Sequence, residues 1–259
     1  ASKSSNRILF FTSLGELDPI YGNNGVIDLP CGADTNAFDW NTMGSNGFEG
    51  ITVVDSQPNA SGGLKVYVAF QRPLAGAEAA ARKTRIGEYD VDLGVWNFFY
   101  YVLDADVGGA SGNTFLSELI HVGGDTFAVI ERDQGYSSSA LNKTIRTFKL
   151  SSGTANDPND PVEKTTAIDL LTDSFRFDQE KIEGLAIGDG SLFVVNDNDG
   201  GTAQNFFVRF SPNLLGASSG GTSPEVIPAI VINELASTGF PNDFVELKNL
   251  GSTPVNVSG

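Results

Sequence analysis

The chain has 259 residues with 32 acidic and 16 basic side chains, so its formal net charge is −16. That balance excludes a broad nucleic-acid surface, which needs clustered cations to neutralise phosphates. It suits divalent cations, which carboxylate oxygens bind.

Thirty glycines, 18 phenylalanines and short alternating segments parted by turn residues predict an all-β protein. In chain order, strands are predicted at 7–13 and 25–30, then at 50–55, 64–71, 84–91 and 95–103. Four successive antiparallel strands make one blade of a β-propeller. A second such unit is predicted at 118–122, 125–131, 144–150 and 167–171, and a third at 184–188, 192–196 and 205–210. Segment 74–82 has helical character but is too short for more than a turn. Residues 151–164 are expected to be a surface excursion, being rich in Asn, Asp, Ser and Pro. Residues 1–210 therefore form one propeller region with fewer units than a closed ring needs, and the N-terminal side reads as trimmed from a longer parent. Gly, Ser and Pro make 211–228 a linker, and 229–259 offers two or three strands, too few for a sheet that stands alone.

One arrangement recurs three times within the region. Glu49-Gly50-Ile51 opens a strand whose partner ends in Gln71-Arg72; Glu118-Leu119-Ile120 opens one whose partner ends in Glu131-Arg132-Asp133. Glu183-Gly184-Leu185 turns at Gly188-Asp189-Gly190 and returns to Asn196-Asp197-Asn198-Asp199. Hairpin geometry brings each glutamate beside the polar cluster that ends the next strand. In a propeller the first strands line the axis, so Glu49, Glu118 and Glu183 are expected at one rim, close to Glu131, Asp133, Asp197 and Asp199.

Crowded carboxylates repel, and Ca²⁺, with roughly six to eight oxygen ligands, is the usual remedy; these acidic residues are the candidate metal ligands. Metal-held carboxylates can in turn hold a phosphate ester and a water, which makes Glu49, Glu118 and Glu183 the candidate catalytic residues. Arg72, Arg132 and Lys181 stand beside them as candidate grips on phosphate oxygens. A competing reading needs no ligand. In it Asn196 to Gly200 is an Asx-type turn, the glutamates cap strand-end amides, and the cations pair with neighbouring carboxylates. His121, the one histidine, sits mid-strand in a packing role, so no Ser-His-Asp triad can be built. Cys31 is the one cysteine, which excludes an intramolecular disulfide and a thiolate cluster; it is read as a small buried hydrophobe. No apolar run reaches the length of a membrane span.

Phe48-Glu49-Gly50-Ile51, Val129 to Asp133, and Lys181 to Ala186 with Phe193 to Asp199 resemble the phytase-like family labelled "esterase-like activity of phytase", over about residues 45–210. The resemblance implies a β-propeller with acidic blade tips, further blades ahead of the first unit, and calcium-dependent hydrolysis of small phosphate esters. Val231-Ile232-Asn233-Glu234 followed by Phe244-Val245-Glu246-Leu247 resembles the opening of a lamin-tail domain, an Ig-like β-sandwich attached to many bacterial exported enzymes. That implies an extracellular or periplasmic protein; Ala1-Ser2-Lys3 begins without a signal-peptide pattern, as a mature exported chain or a cytosolic one would. The other functional class is a non-catalytic extracellular module in which calcium stiffens the blade tips, since a propeller alone does not decide function. A cationic cluster beside the carboxylates separates the two, because a phosphate site needs both signs.

Overall fold

The computed structural model describes residues 7–11, 14–20, 25–29, 47–55, 63–74, 76–106, 113–172, 176–198, 205–210 and 215, with the backbone alone of 230–236 and 244–249. The chain is all-β, built of several antiparallel sheets. Strands β1 (Arg7–Leu9) and β2 (Val26–Asp28) pair first. A four-stranded meander follows: β3 (Phe48–Asp55), β4 (Leu64–Phe70), β5 (Lys83–Asp90) and β6 (Val95–Val102). A second meander runs β7 (Phe115–Gly123), β8 (Thr126–Arg132), β9 (Lys143–Lys149) and β10 (Lys164–Asp169). A third has three strands, β11 (Lys181–Gly188), β12 (Ser191–Asp197) and β13 (Phe207–Phe210). Among the described residues no sheet closes on itself. Helix α1 (Ala77–Ala80) is the single turn expected of 74–82.

Period-2 alternation builds these sheets in layers. Val66, Val68 and Phe70 of β4 face one way and pack with Ile8, Ile27 and Leu29 beside the first strand pair. Tyr67 and Ala69, between them in sequence, face the other way onto Leu116, Leu119, Phe127 and Val129 of the second meander. The second meander repeats the device, sending Ala128 and Ile130 of β8 onto Ile182, Leu185, Leu192 and Val194 of the third. Strands buried on both faces explain the near-continuous apolar runs. Each fully buried side chain of this kind contributes about 1.5–3 kcal/mol. The third meander's hairpin turns at Asp189 and Gly190, with φ of 49° and 62°. Two successive positive φ values define the type I′ geometry that matches strand twist and favours Asp-Gly.

Two expectations change. First, the glutamates do not open their strands: β3, β7 and β11 each begin upstream of them. Second, 151–164 is more than an excursion. The Asn156 and Val162 amides donate to the Phe98 and Tyr100 carbonyls, at 2.7 and 2.9 Å, and the Phe98 amide donates to Asn156 Oδ1 at 2.9 Å. The segment covers the outer edge of β6 and sends Val162 into the core, which protects an edge that would otherwise template foreign pairing. At the C-terminal end, β14 (Ile230–Ala236) and β15 (Phe244–Asn249) form an antiparallel pair. The predicted linker 211–228, apart from Leu215, lies outside the described residues, as do Cys31 and Asp199.

Candidate functional site

The three first strands are neighbours: β7 lies against both β3 and β11. Each first strand carries a bulge at the same point of its hairpin. Register shifts between Phe48 and Gly50, between Leu116 and Glu118, and between Ile182 and Gly184. The extra residues are Glu49, Ser117 and Glu183. Glu118 therefore stands one place on, level with Gly50 and Gly184. In a pleated strand that single step sends the side chain to the other face. Glu49 and Glu183 are equivalent; Glu118 is not their third copy.

Glu49 and Glu183 do come together. Glu49 is exposed, and its carboxyl is held above the usual carboxylate range by partial burial first and by the Glu183 charge second, while Arg132 and Lys181 pull it down. Glu49 Oε1 accepts a hydrogen bond from Gln71 Nε2 at 2.7 Å. Glu183 Oε1 accepts one from Arg132 Nη2 at 2.7 Å. Arg132 is 3% exposed; it also donates through Nε to Ser117 Oγ and through Nη1 to the Asp133 carbonyl, at 3.2 and 3.4 Å. The guanidinium of Arg72 lies 3.7 Å from the centre of the Phe115 ring, a cation–π contact. Arg132 sits 5.9 Å from the same ring. Arg72 Nε is buried with no hydrogen-bond partner. Burial lowers the Arg72 pKa, with Asp106 opposing and Arg132 adding to the shift. Lys181 opposes Asp197 across the β11–β12 ladder.

Glu118 reaches a different place. Its carboxylate accepts the Leu119 amide at 2.9 Å. Burial pushes its pKa up to about 7 against the pull of nearby backbone amides, with the Glu49 charge adding a smaller push upward.

Glu131 and Asp133 are absorbed into buried networks. Glu131 is 0% exposed and takes the Tyr101 hydroxyl (2.6 Å), the Asp104 amide (2.6 Å) and Lys164 Nζ (2.7 Å). Asp133 accepts the amides of Gly135, Leu141 and Asn142 and pairs with Lys143 Nζ at 2.8 Å. Lys143, also 0% exposed, donates to the Asp133 and Glu180 carbonyls; burial lowers its pKa and Asp133 resists the shift. Asp197 is exposed, and Asn196 Oδ1 accepts the Phe206 amide at 2.7 Å. His121 packs on Phe127, ring centroids 5.2 Å apart, with Nε2 2.9 Å from the Gly124 carbonyl oxygen. Among the described residues no three His, Cys, Asp or Glu side chains converge as a metal site, and no helix is long and apolar enough to cross a membrane.

Gln71 stands beside Glu49 as hairpin geometry predicts, whereas sequence reading missed Ser117 and Phe115, which flank the site groups. One signal was available: Glu-Gly stands in the first and third copies but Ser-Glu in the second, with Glu118 level with the glycines.

The all-β chain gathers two acidic and three basic side chains, Glu49, Glu183, Arg72, Arg132 and Lys181, near its adjacent first strands. The family model described as "Phytase-like: Esterase-like activity of phytase" matches residues 17–200, and the chain belongs to that family. No curated protein and no solved structure matches it.

Proposed function

We propose that this protein hydrolyses phosphate esters at the Glu49–Glu183 end of the three first strands, and that its meanders are blades of a β-propeller. The observation that carries the reading is charge of both signs in one place: Glu49 and Glu183 with Arg132 between them in the electrostatic balance, and Arg72 and Lys181 beside them. Family membership supports the same chemistry.

Within this reading Arg72, its guanidinium braced on Phe115, grips phosphate oxygens through its terminal nitrogens by charge-assisted bonds. Arg132 fixes the orientation of Glu183. Glu49, exposed and bonded by Gln71, is our candidate to orient the attacking water. Calcium belongs to the proposal as the ion that Glu49 and Glu183 would hold together. Two carboxylates and no third are available among the described residues, so oxygens of the phosphate itself would complete the shell. Bound there, the ion would supply charge stabilisation at the phosphoryl oxygens. Export, drawn from the resemblance of 229–259, is part of the same proposal.

The test is phosphate release from a generic aryl phosphate by wild type, Glu183→Ala and His121→Ala, each with and without added calcium. Glu183→Ala is expected to lower kcat about a hundredfold or more, and His121→Ala to leave turnover within about twofold while costing roughly 1 kcal/mol of stability. Full calcium-stimulated activity in Glu183→Ala, or none in wild type, leaves the non-catalytic module standing.

A further inference from the structure

The bulge that carries Glu183 is held by three side-chain donors of the second meander. Lys143 Nζ donates to the Glu180 carbonyl at 2.9 Å, Ser117 Oγ to the Ile182 carbonyl at 2.7 Å, and Arg132 Nη2 to Glu183 Oε1 at 2.7 Å. The donors are themselves joined. Arg132 Nε donates to Ser117 Oγ at 3.2 Å, and the Asp133 carbonyl accepts both Arg132 Nη1 and Lys143 Nζ, at 3.4 and 2.8 Å. Ser117, Arg132, Asp133 and Lys143 are each 3% exposed or less, so water offers no substitute for a bond that is lost.

Lys143 is the far anchor of this chain of bonds. An ammonium group has three donors, and all three are engaged: by the Asp133 carbonyl, the Glu180 carbonyl and Asp133 Oδ1, the last at 2.8 Å. Lys143 also stands directly opposite Arg132 across the β8–β9 ladder, where like charges repel. An apolar side chain there, with Asp133 neutral, would cost stability little, since buried ion pairs add little of their own. What the ammonium adds is reach. It joins a carbonyl just after β8 to a carbonyl just before β11.

We propose that Lys143 is a positioning residue for Glu183: it holds the entry to β11 so that the bulge presents its carboxylate to Arg132, and in this it rests on the site proposed above. A bulge leaves its extra residue outside the ladder, so the aim of that residue follows from what holds the backbone on either side. Ahead of the bulge the β11–β12 ladder has two pairs, Lys181 with Asp197 and Ile182 with Asn196. The Lys143 and Ser117 bonds act on that short stretch.

The experiment is residue-resolved NMR on the full chain, comparing wild type with the double variant Lys143→Met/Asp133→Asn, which removes the ammonium without leaving a buried carboxylate unpaired. The Arg132 Nε–H proton is expected to exchange about tenfold faster or more, and the Glu183 carboxyl carbon resonance to move toward that of a free glutamate. Val68, in the core beside the first strand pair, keeps its wild-type resonances. If the double variant does not fold, Lys143→Gln, with a shorter and neutral donor, is measured in its place with shifts expected in the same direction. A lowered denaturant midpoint with Arg132 and Glu183 unmoved makes Lys143 merely structural and overturns the proposal. A change spread evenly as far as Val68 overturns it too. None of these readouts needs turnover, so an inactive wild type would sink the hydrolase reading and leave the role of Lys143 to be decided by NMR.

Discussion

Two groups of acidic side chains at the ends of these hairpins meet opposite fates. Around Glu131 and Asp133 the carboxylates are sealed inside, with every oxygen engaged by an amide, a hydroxyl or an ammonium group. At Glu49 and Glu183 they stay at least partly open, each with one strong side-chain partner. Sequence makes the two groups look alike, since both are acidic residues at hairpin ends. The difference is one of supply: where a buried carboxylate collects enough donors it becomes scaffold, and where donors are few and like charge is near it keeps capacity for a ligand.

The sharpest way to break this contrast is Glu131→Ala. It would strip Tyr101 and Lys164 of a partner inside the interface between the first and second meanders. Leaving such groups uncompensated costs about 3–5 kcal/mol, read as a shift of the denaturant midpoint. A cost below about 1 kcal/mol would move Glu131 out of the scaffold group.

Gly50→Ala tests the close approach of β3 and β7 beside Glu49. The added Cβ must push β7 from β3, at about 2–3 kcal/mol, with slope m unchanged. Stability equal to wild type would mean that the two strands have room to spare.

A smaller effect is expected from pH. Glu118 has its folded-state pKa raised to about 7 from an ordinary 4.5, so its contribution to stability is fully present below about 4.5 and is lost as pH rises through about 7. Its half-solvated position screens the shift, leaving on the order of 1–2 kcal/mol across that window. Unfolding free energies of wild type should fall from pH 5 toward pH 8 by that margin relative to Glu118→Gln. Parallel curves would show that Glu118 titrates alike in folded and unfolded chains.

Much of this molecule was legible in its residues. Alternation and Asp-Gly or Gly-Gly turns placed the strands of the three meanders close to where they lie, because strand period and turn chemistry are local properties. The apolar runs of β4 and β8 marked strands with two buried faces. The acidic character of the hairpin ends was equally plain, and Glu49 does lie close enough to Glu183 to feel its charge.

What only the tertiary structure decided is which carboxylates that site contains. A bulge adds one residue to a strand without altering its composition, so the one local hint that Ser117, not Glu118, stands level with Glu49 and Glu183 is that no glycine follows Glu118. Likewise the Asn156–Val162 stretch looks like any polar loop until β6 offers it an edge to cover. Whether a carboxylate is open or saturated depends on donors far along the chain, such as Tyr101 from the neighbouring sheet and Lys164 from β10 for Glu131. Those donors are distant in sequence, and packing alone brings them within hydrogen-bond reach.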